Sequence, residues 1–165
     1  MLLVIADTSP IRYLVQIDQI DLLPRLFENI LIPAVVAEEL RHLSAPPAVQ
    51  AWMQQPPGWL KVLPVAGSSA IDVDDPALNT LDAGERSAIA LGICLKADLI
   101  LIDERKGAAV AVNKGFETAG TLGILDLAAR RGLIDLRDAL DRLKRTNFRY
   151  RQAILDALLN QQGGA

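Results

Sequence analysis

Histidine and cysteine are almost missing from this chain: His42 and Cys94 are the single examples among 165 residues. One cysteine excludes a disulfide framework within the chain. One of each leaves no material for a zinc site, a Cys-His pair in a catalytic role or a Ser-His-Asp machine, since His42 falls on a polar helical face and reads as a surface residue. Aromatic residues are also scarce, at 4% against 51% hydrophobic, which favours an aliphatic α/β core over a β-sandwich. No apolar run approaches the length of a membrane span. The opening MLLVIAD is too short for a signal peptide and lacks a basic leader, so a reducing cytoplasm is the expected compartment. There is no Walker loop and no dinucleotide fingerprint, and Gly115, Gly120 and Gly123 are too dispersed to cradle phosphates. Internal repeats and low-complexity segments are absent too.

What the chain does have is carboxylates at the ends of apolar elements. Asp7 closes LLVIA, Glu39 lies in IPAVVAEEL, Glu85 opens GERSAIALG, and Asp103 closes LILI with Glu104 beside it. Burying a charge is costly unless it is paired or binds a metal. Oxygen ligands without histidine or cysteine suit a hard divalent cation, magnesium or manganese. Such clusters commonly serve phosphodiester or phosphoryl chemistry. Charge is also unevenly spread. Residues 1–127 carry nine basic and sixteen acidic groups, and residues 128–165 carry eight and four. An acidic body with a basic C-terminal region fits a metal site near a surface that meets phosphates, and it equally fits ordinary solvated helices.

The length predicts one domain, residues 1–165. Short apolar strands are expected at Leu2–Ala6, Ile30–Ile32, Trp59–Val65, Leu99–Ile102 and Phe116–Ala119. The Pro64 near its end makes the third an edge strand. Helices are expected after Ser9, read as an N-cap before Pro10, and over Leu22–Glu28, Pro33–Leu43, from Pro46-Pro47 through Ala51–Gln54, and over Gly84–Lys96, Glu104–Asn113, Thr121–Arg131, Leu136–Lys144 and Tyr150–Leu159. Residues 66–83, with Gly67-Ser68-Ser69 and Asp72–Pro76, read as an internal loop. Strands alternating with helices imply a parallel sheet and βαβ crossovers. Ligands of such sheets bind beyond the carboxyl ends of the strands, where Asp7 and Asp103 stand.

The acids differ in how readily a structural role explains them. Asp7 precedes a helix, but Ser9 fits the cap better, and the hydroxyls of Thr8 and Ser9 are placed to orient a carboxylate or a water. Glu39 falls inside the apolar stripe formed by Val35, Val36, Leu40 and Leu43, whereas Glu38 falls outside it, near Arg41 and His42. Glu85 stands three residues after Asp82, the spacing of a capping box. Spacing alone does not choose between a cap and a site for Glu85. One of Asp103 and Glu104 can cap the next helix, and together they can supply two ligands. Tyr150, Ile154, Leu155, Leu158 and Leu159 form an apolar stripe that fits packing on the core or contact with a second subunit or small partner.

Asp7-Thr8-Ser9, Val36-x-x-Glu39-Leu40, Gly84-Glu85-x-x-Ala88-Ile89-Ala90-Leu91 and Leu101-Ile102-Asp103-Glu104 together resemble the PIN-domain nucleases. Gly120-Thr121-Leu122-Gly123-Ile124-Leu125, followed by Arg131-Gly132-Leu133-Ile134, is similar to a prokaryotic, VapC-like branch of that superfamily. The resemblance runs in order over residues 2–135 and implies a three-layer α/β/α sandwich around a central parallel sheet. It implies that Asp7, Glu39, Glu85 and Asp103 are the catalytic, metal-binding acids, with Glu104 as an additional ligand, Thr8 and Ser9 in support, and Mg2+ or Mn2+ as cofactor. Many members place an aspartate where Glu85 stands. It further implies cleavage of single-stranded RNA, a homodimer with residues 136–165 as a candidate interface, and a small antitoxin partner. Beside this endoribonuclease stand a phosphatase working through an aspartyl intermediate, disfavoured because Asp7-Thr8-Ser9 lacks its aspartate-x-aspartate pattern, and an inactive PIN-fold module that binds metal or protein.

Overall fold

Five short aliphatic runs form one parallel sheet: β1 (Val4–Ala6), β2 (Ile30–Pro33), β3 (Leu60–Leu63), β4 (Leu99–Leu101) and β5 (Glu117–Ala119), in the order β3-β2-β1-β4-β5. The computed structural model describes residues 2–64 and 75–163. Each neighbouring pair runs parallel, with Val4, Ile5 and Ala6 opposite Leu99, Ile100 and Leu101 at the centre. Parallel pairing obliges the chain to cross over between strands, and helices make those crossovers. Helices α1 (Thr8–Gln16) and α2 (Leu22–Phe27) lead to β2, and α3 (Ala34–Arg41) and α4 (Pro47–Gln54) lead to β3. The return to the sheet centre carries α5 (Pro76–Asn79) and α6 (Ala83–Leu95), and α7 (Arg105–Asn113) joins β4 to β5. Helices α8 (Thr121–Arg130), α9 (Leu136–Lys144) and α10 (Gln152–Gly163) follow.

The side-chain alternation of a strand decides where the helices go. Val4, Ala6, Ile30, Ile32 and Leu101 enter a large core shared with α1, α3 and α8. Ile5 turns the other way, onto Ala88 and Leu91 of α6, while Ile100 and Ile102 pack with Ile89 and Ala111. Helices therefore cover both faces, giving the α/β/α layering. The strand order also reverses between β1 and β4, because the chain builds outward through β2 and β3 before returning to the centre. That switch point, at the carboxyl ends of the strands, is where open parallel sheets bind ligands.

Three expectations from the sequence need correction. Ser9 is not an N-cap: α1 begins at Thr8, with Asp7 in the cap position. The sheet fixes this register, because the Asp7 N–H donates to the Leu101 carbonyl at 2.9 Å and holds the chain extended up to that residue. Leu43 does not continue the apolar stripe of α3. The helix ends at Arg41, and Leu43 is 90% exposed. Tyr150 precedes α10 rather than opening it, and the stripe divides: Leu155, Leu158 and Leu159 pack on the core, whereas Tyr150 and Ile154 are exposed. The loop expected over residues 66–83 contains α5 near its end. Its Gly67-Ser68-Ser69 and Asp72-Val73-Asp74 stretches lie outside the described residues. Among the described residues, no helix is long and apolar enough to cross a membrane.

Candidate metal centre

Asp7 leaves β1 and Asp103 leaves the end of β4, so the two central strands deliver two carboxylates to one edge of the sheet. Asp7 occupies the cap position of α1 yet makes no capping bond with its side chain. Its carboxylate is 5% exposed and points into the cleft instead. Asp103 is held differently. The Thr121 N–H donates to Oδ1 at 2.6 Å and the Thr121 hydroxyl to Oδ2 at 2.7 Å, so the start of α8 grips the whole carboxylate. Gly120 makes this grip sterically accessible, since a Cβ there would stand 2.7 Å from Asp103 Oδ1.

Glu39 and Glu85 arrive from helices on either side. Glu38 is exposed, whereas Glu39 is half-buried and accepts the Thr8 hydroxyl. The Asp82 side chain caps α6 by accepting the Glu85 N–H at 2.9 Å, which draws the start of that helix to the cleft. The geometry leaves room for both readings of Glu85: its backbone belongs to the cap, and its side chain, 6% exposed, lines the cleft. Between these groups lies Gly84. A Cβ on it would stand 2.8 Å from Glu39 Oε2 and 2.9 Å from Asp7 Oδ1. Two carboxylates therefore converge on a space that is open because residue 84 has no side chain.

The cleft, about 480 Å³, gathers Asp7, Glu39, Glu85, Asp103 and Glu104, with Thr8 and Ser9 on its wall. Glu104 is exposed, at the cap position of α7 without a capping bond. Among the described residues, no three such donors close into a ready-made cage. Asp7 and Glu39 converge at Gly84, and the other carboxylates line the same cleft. The electrostatics carry the same signature. Burial pushes the Asp7 carboxyl up to about 7 against the Thr8 backbone bond, with the charges of Asp82, Glu39 and Asp103 adding to the rise. Burial likewise lifts Glu85 to about 8, helped by the charge and hydrogen bond of Asp82 and by Asp7 and Glu104. Asp103 is raised by burial, while its two bonds from Thr121 pull the other way. Hard oxygen donors, an open gap between two of them, and carboxylates destabilised as anions fit a divalent cation.

The sequence reading missed five residues of this cleft: Arg12, Tyr13, Asn147, Phe148 and Arg149. It took Asp82 as a cap only, and Asp82 also lines the wall. Arg12 had a findable signal, since it lies four residues after Thr8 on one helical face. Its Nε is buried and has no hydrogen-bond partner among the described residues. Asn147, Phe148 and Arg149 had none, because they reach the cleft only through the return of the chain after α9. Tyr13 fastens that return: its hydroxyl donates to Asn147 Oδ1 at 2.9 Å, and its ring meets Phe148 edge to face at 5.0 Å. His42 stays on the surface, bonded locally to Ser44. A family model described as "DUF3368: PIN domain" matches residues 3–163. None of the curated proteins matches the chain.

Proposed function

The chain belongs to the PIN-domain family, and from that premise we propose that it is a metal-dependent endoribonuclease acting on single-stranded RNA. PIN domains are generally nucleases, and the finer assignment rests on one observation. Asp7 and Glu39 converge on the gap at Gly84, on the same cleft as Glu85 and Asp103. Asp7, Glu39, Glu85 and Asp103 are the residues assigned to hold magnesium or manganese, with Glu104 as an additional donor at the rim. A bound ion supplies Lewis-acid activation of water and of the phosphodiester. The protein's own groups do the positioning. The Thr8 hydroxyl orients Glu39, and Thr121 fixes Asp103. Arg12 lines the same cleft and brings a guanidinium to a phosphate bound there. Carboxylates whose proton affinity is raised by burial release protons on binding the ion, so binding should strengthen with pH.

The same reading makes the 165 residues one domain of a VapC-like, cytoplasmic protein. It works as a homodimer, with residues 136–165 as the candidate region from which the interface is drawn, and as the toxin partner of a small antitoxin. The test is cleavage of single-stranded RNA, single-stranded DNA and duplex RNA with magnesium, with manganese, and with chelator. Single-stranded RNA should be cut only when an ion is present, and activity should return when the ion is restored. Full activity from metal-free protein in excess chelator overturns the proposal. Ion binding without cleavage of any substrate supports the inactive binding module instead.

A further inference from the structure

We propose that the groove beside the acidic cleft, walled by Phe148-Arg149-Tyr150-Arg151, is a track that holds single-stranded nucleic acid next to the reacting phosphate. The proposal rests on the nuclease reading above and adds where the strand lies. The groove encloses about 500 Å³ and shares Asp103, Glu104, Phe148 and Arg149 with the acidic cleft, so the two are continuous. Its far wall adds Arg105, Tyr150, Arg151 and Ile154.

Three of the eleven residues that line this groove are arginines, and they stand beside the acidic cleft. Arg130 and Arg142 pair with Asp126 and Asp138, one helical turn away. Among the described residues, Arg105, Arg149 and Arg151 make no ion pair with any carboxylate. Three guanidinium groups thus converge on one groove without a neutralising partner, beside a cleft whose carboxylates repel a polyanion. A strand whose phosphates are to reach that cleft needs this compensation. The aromatic residues supply a second kind of contact. Tyr150 is 40% exposed on the groove, and Phe148 beside it is anchored edge to face on Tyr13. An exposed ring between arginines is a stacking platform for an unpaired base. A duplex hides its base faces, so the groove selects single strands. An acidic peptide would use the arginines without needing the ring.

Anisotropy of a labelled single-stranded RNA, its DNA counterpart and a duplex, measured in excess chelator with the full chain, tests the track without requiring cleavage. Arg151→Ala and Arg105→Ala should each weaken single-strand binding about five- to tenfold and flatten the log affinity against log salt slope by about 0.7. Tyr150→Ala should weaken it about tenfold with the slope unchanged, and Tyr150→Phe should restore binding. Arg25→Ala, exposed on α2 outside the groove, should change neither quantity. Circular dichroism of each variant checks the fold. Wild-type affinity and slope in all three groove variants overturns the track, as does a wild-type chain that binds no single strand. Losses from the arginine variants alone, matched by equal losses toward a poly-glutamate peptide, overturn it in favour of an acidic partner. A chain that binds as expected but never cleaves with manganese sinks the nuclease reading and leaves the track standing. Cleavage with unaffected groove variants does the reverse.

Discussion

Glu38 and Glu39 are chemically identical neighbours with opposite surroundings, because one residue of helix turns the side chain by about 100°. Glu38 meets solvent, and Glu39 meets the Thr8 hydroxyl at the cleft. Glu39→Gln should therefore lower ion-dependent cleavage by more than about 100-fold, exceeding the loss typical of an outer-shell partner. Glu38→Gln should stay within about twofold of wild type in the same assay, since a change confined to the solvated face is usually small. Reversed effects would mean that α3 is wrongly registered in the site assignment. Gly84→Ala is a complementary test. Alanine is the better helix former by about 1 kcal/mol, but its Cβ would enter the gap 2.8 Å from Glu39. The variant should keep a melting temperature near that of wild type and lose cleavage by more than tenfold, on the order of a misplaced site. Full activity would show that the gap is not used. The Glu38–Glu39 distinction was legible in the sequence because Val36 and Leu40 set the buried face of α3. Arg12 was not assigned, because only the packing of α1 against the cleft leaves its Nε buried with no hydrogen-bond partner among the described residues.

At the scale of elements, the helix starts explain both what the sequence revealed and what it concealed. Ser9-Pro10 looks like a cap and first turn, but Pro10 also fits the third helical position, where its missing N–H is still one of the unpaired donors. Local chemistry allows both registers, and the sheet bond from the Asp7 N–H to Leu101 selects one. The cap of α6 was legible because Asp82 and Glu85 have the local spacing. That cap also places a charge beside two buried acids. Asp82→Asn should preserve the cap, since asparagine caps as well as aspartate, while removing the charge that helps raise Asp7 and Glu85. Carboxyl-carbon NMR titration of the metal-free protein should show both groups titrating at lower pH in this variant. Asp82→Ala should show the same shift and lose about 1 kcal/mol in urea unfolding through the missing cap. Unchanged titrations in both variants would mean that burial alone sets the two values.

For the molecule as a whole, the buried acids tie stability to pH. Asp7 has an ordinary value of 3.8 and a folded value of about 7. Between those limits the folded chain keeps a proton that the unfolded chain has lost, so stability falls as pH rises. The contribution is fully present below about pH 4 and gone once pH passes about 7; Glu85, raised to about 8, extends the decline upward. Asp7→Asn should stabilise the metal-free protein at pH 8 by about 2–4 kcal/mol and flatten the profile. Manganese should raise the wild-type melting temperature at that pH by mass action and do so far less for Asp7→Asn. Thermal melts across pH, with and without the ion, check both. A flat wild-type profile would remove Asp7 from the buried, charge-crowded site. The parallel α/β class was legible because short apolar runs alternate with helices along the chain. The lining contributed by residues 147–149 was not, because no local pattern encodes the return of a C-terminal segment across the mouth of the cleft.

That return has a consequence for when the protein becomes competent. All the acids assigned to the site have been synthesised once translation passes Glu104, yet one wall of their cleft comes from Asn147, Phe148 and Arg149. Tyr13 waits for its partners Asn147 and Phe148, which follow it by more than 130 residues. A nascent chain on the ribosome, surrounded by RNA, therefore carries the charged half of the site without the half that closes it.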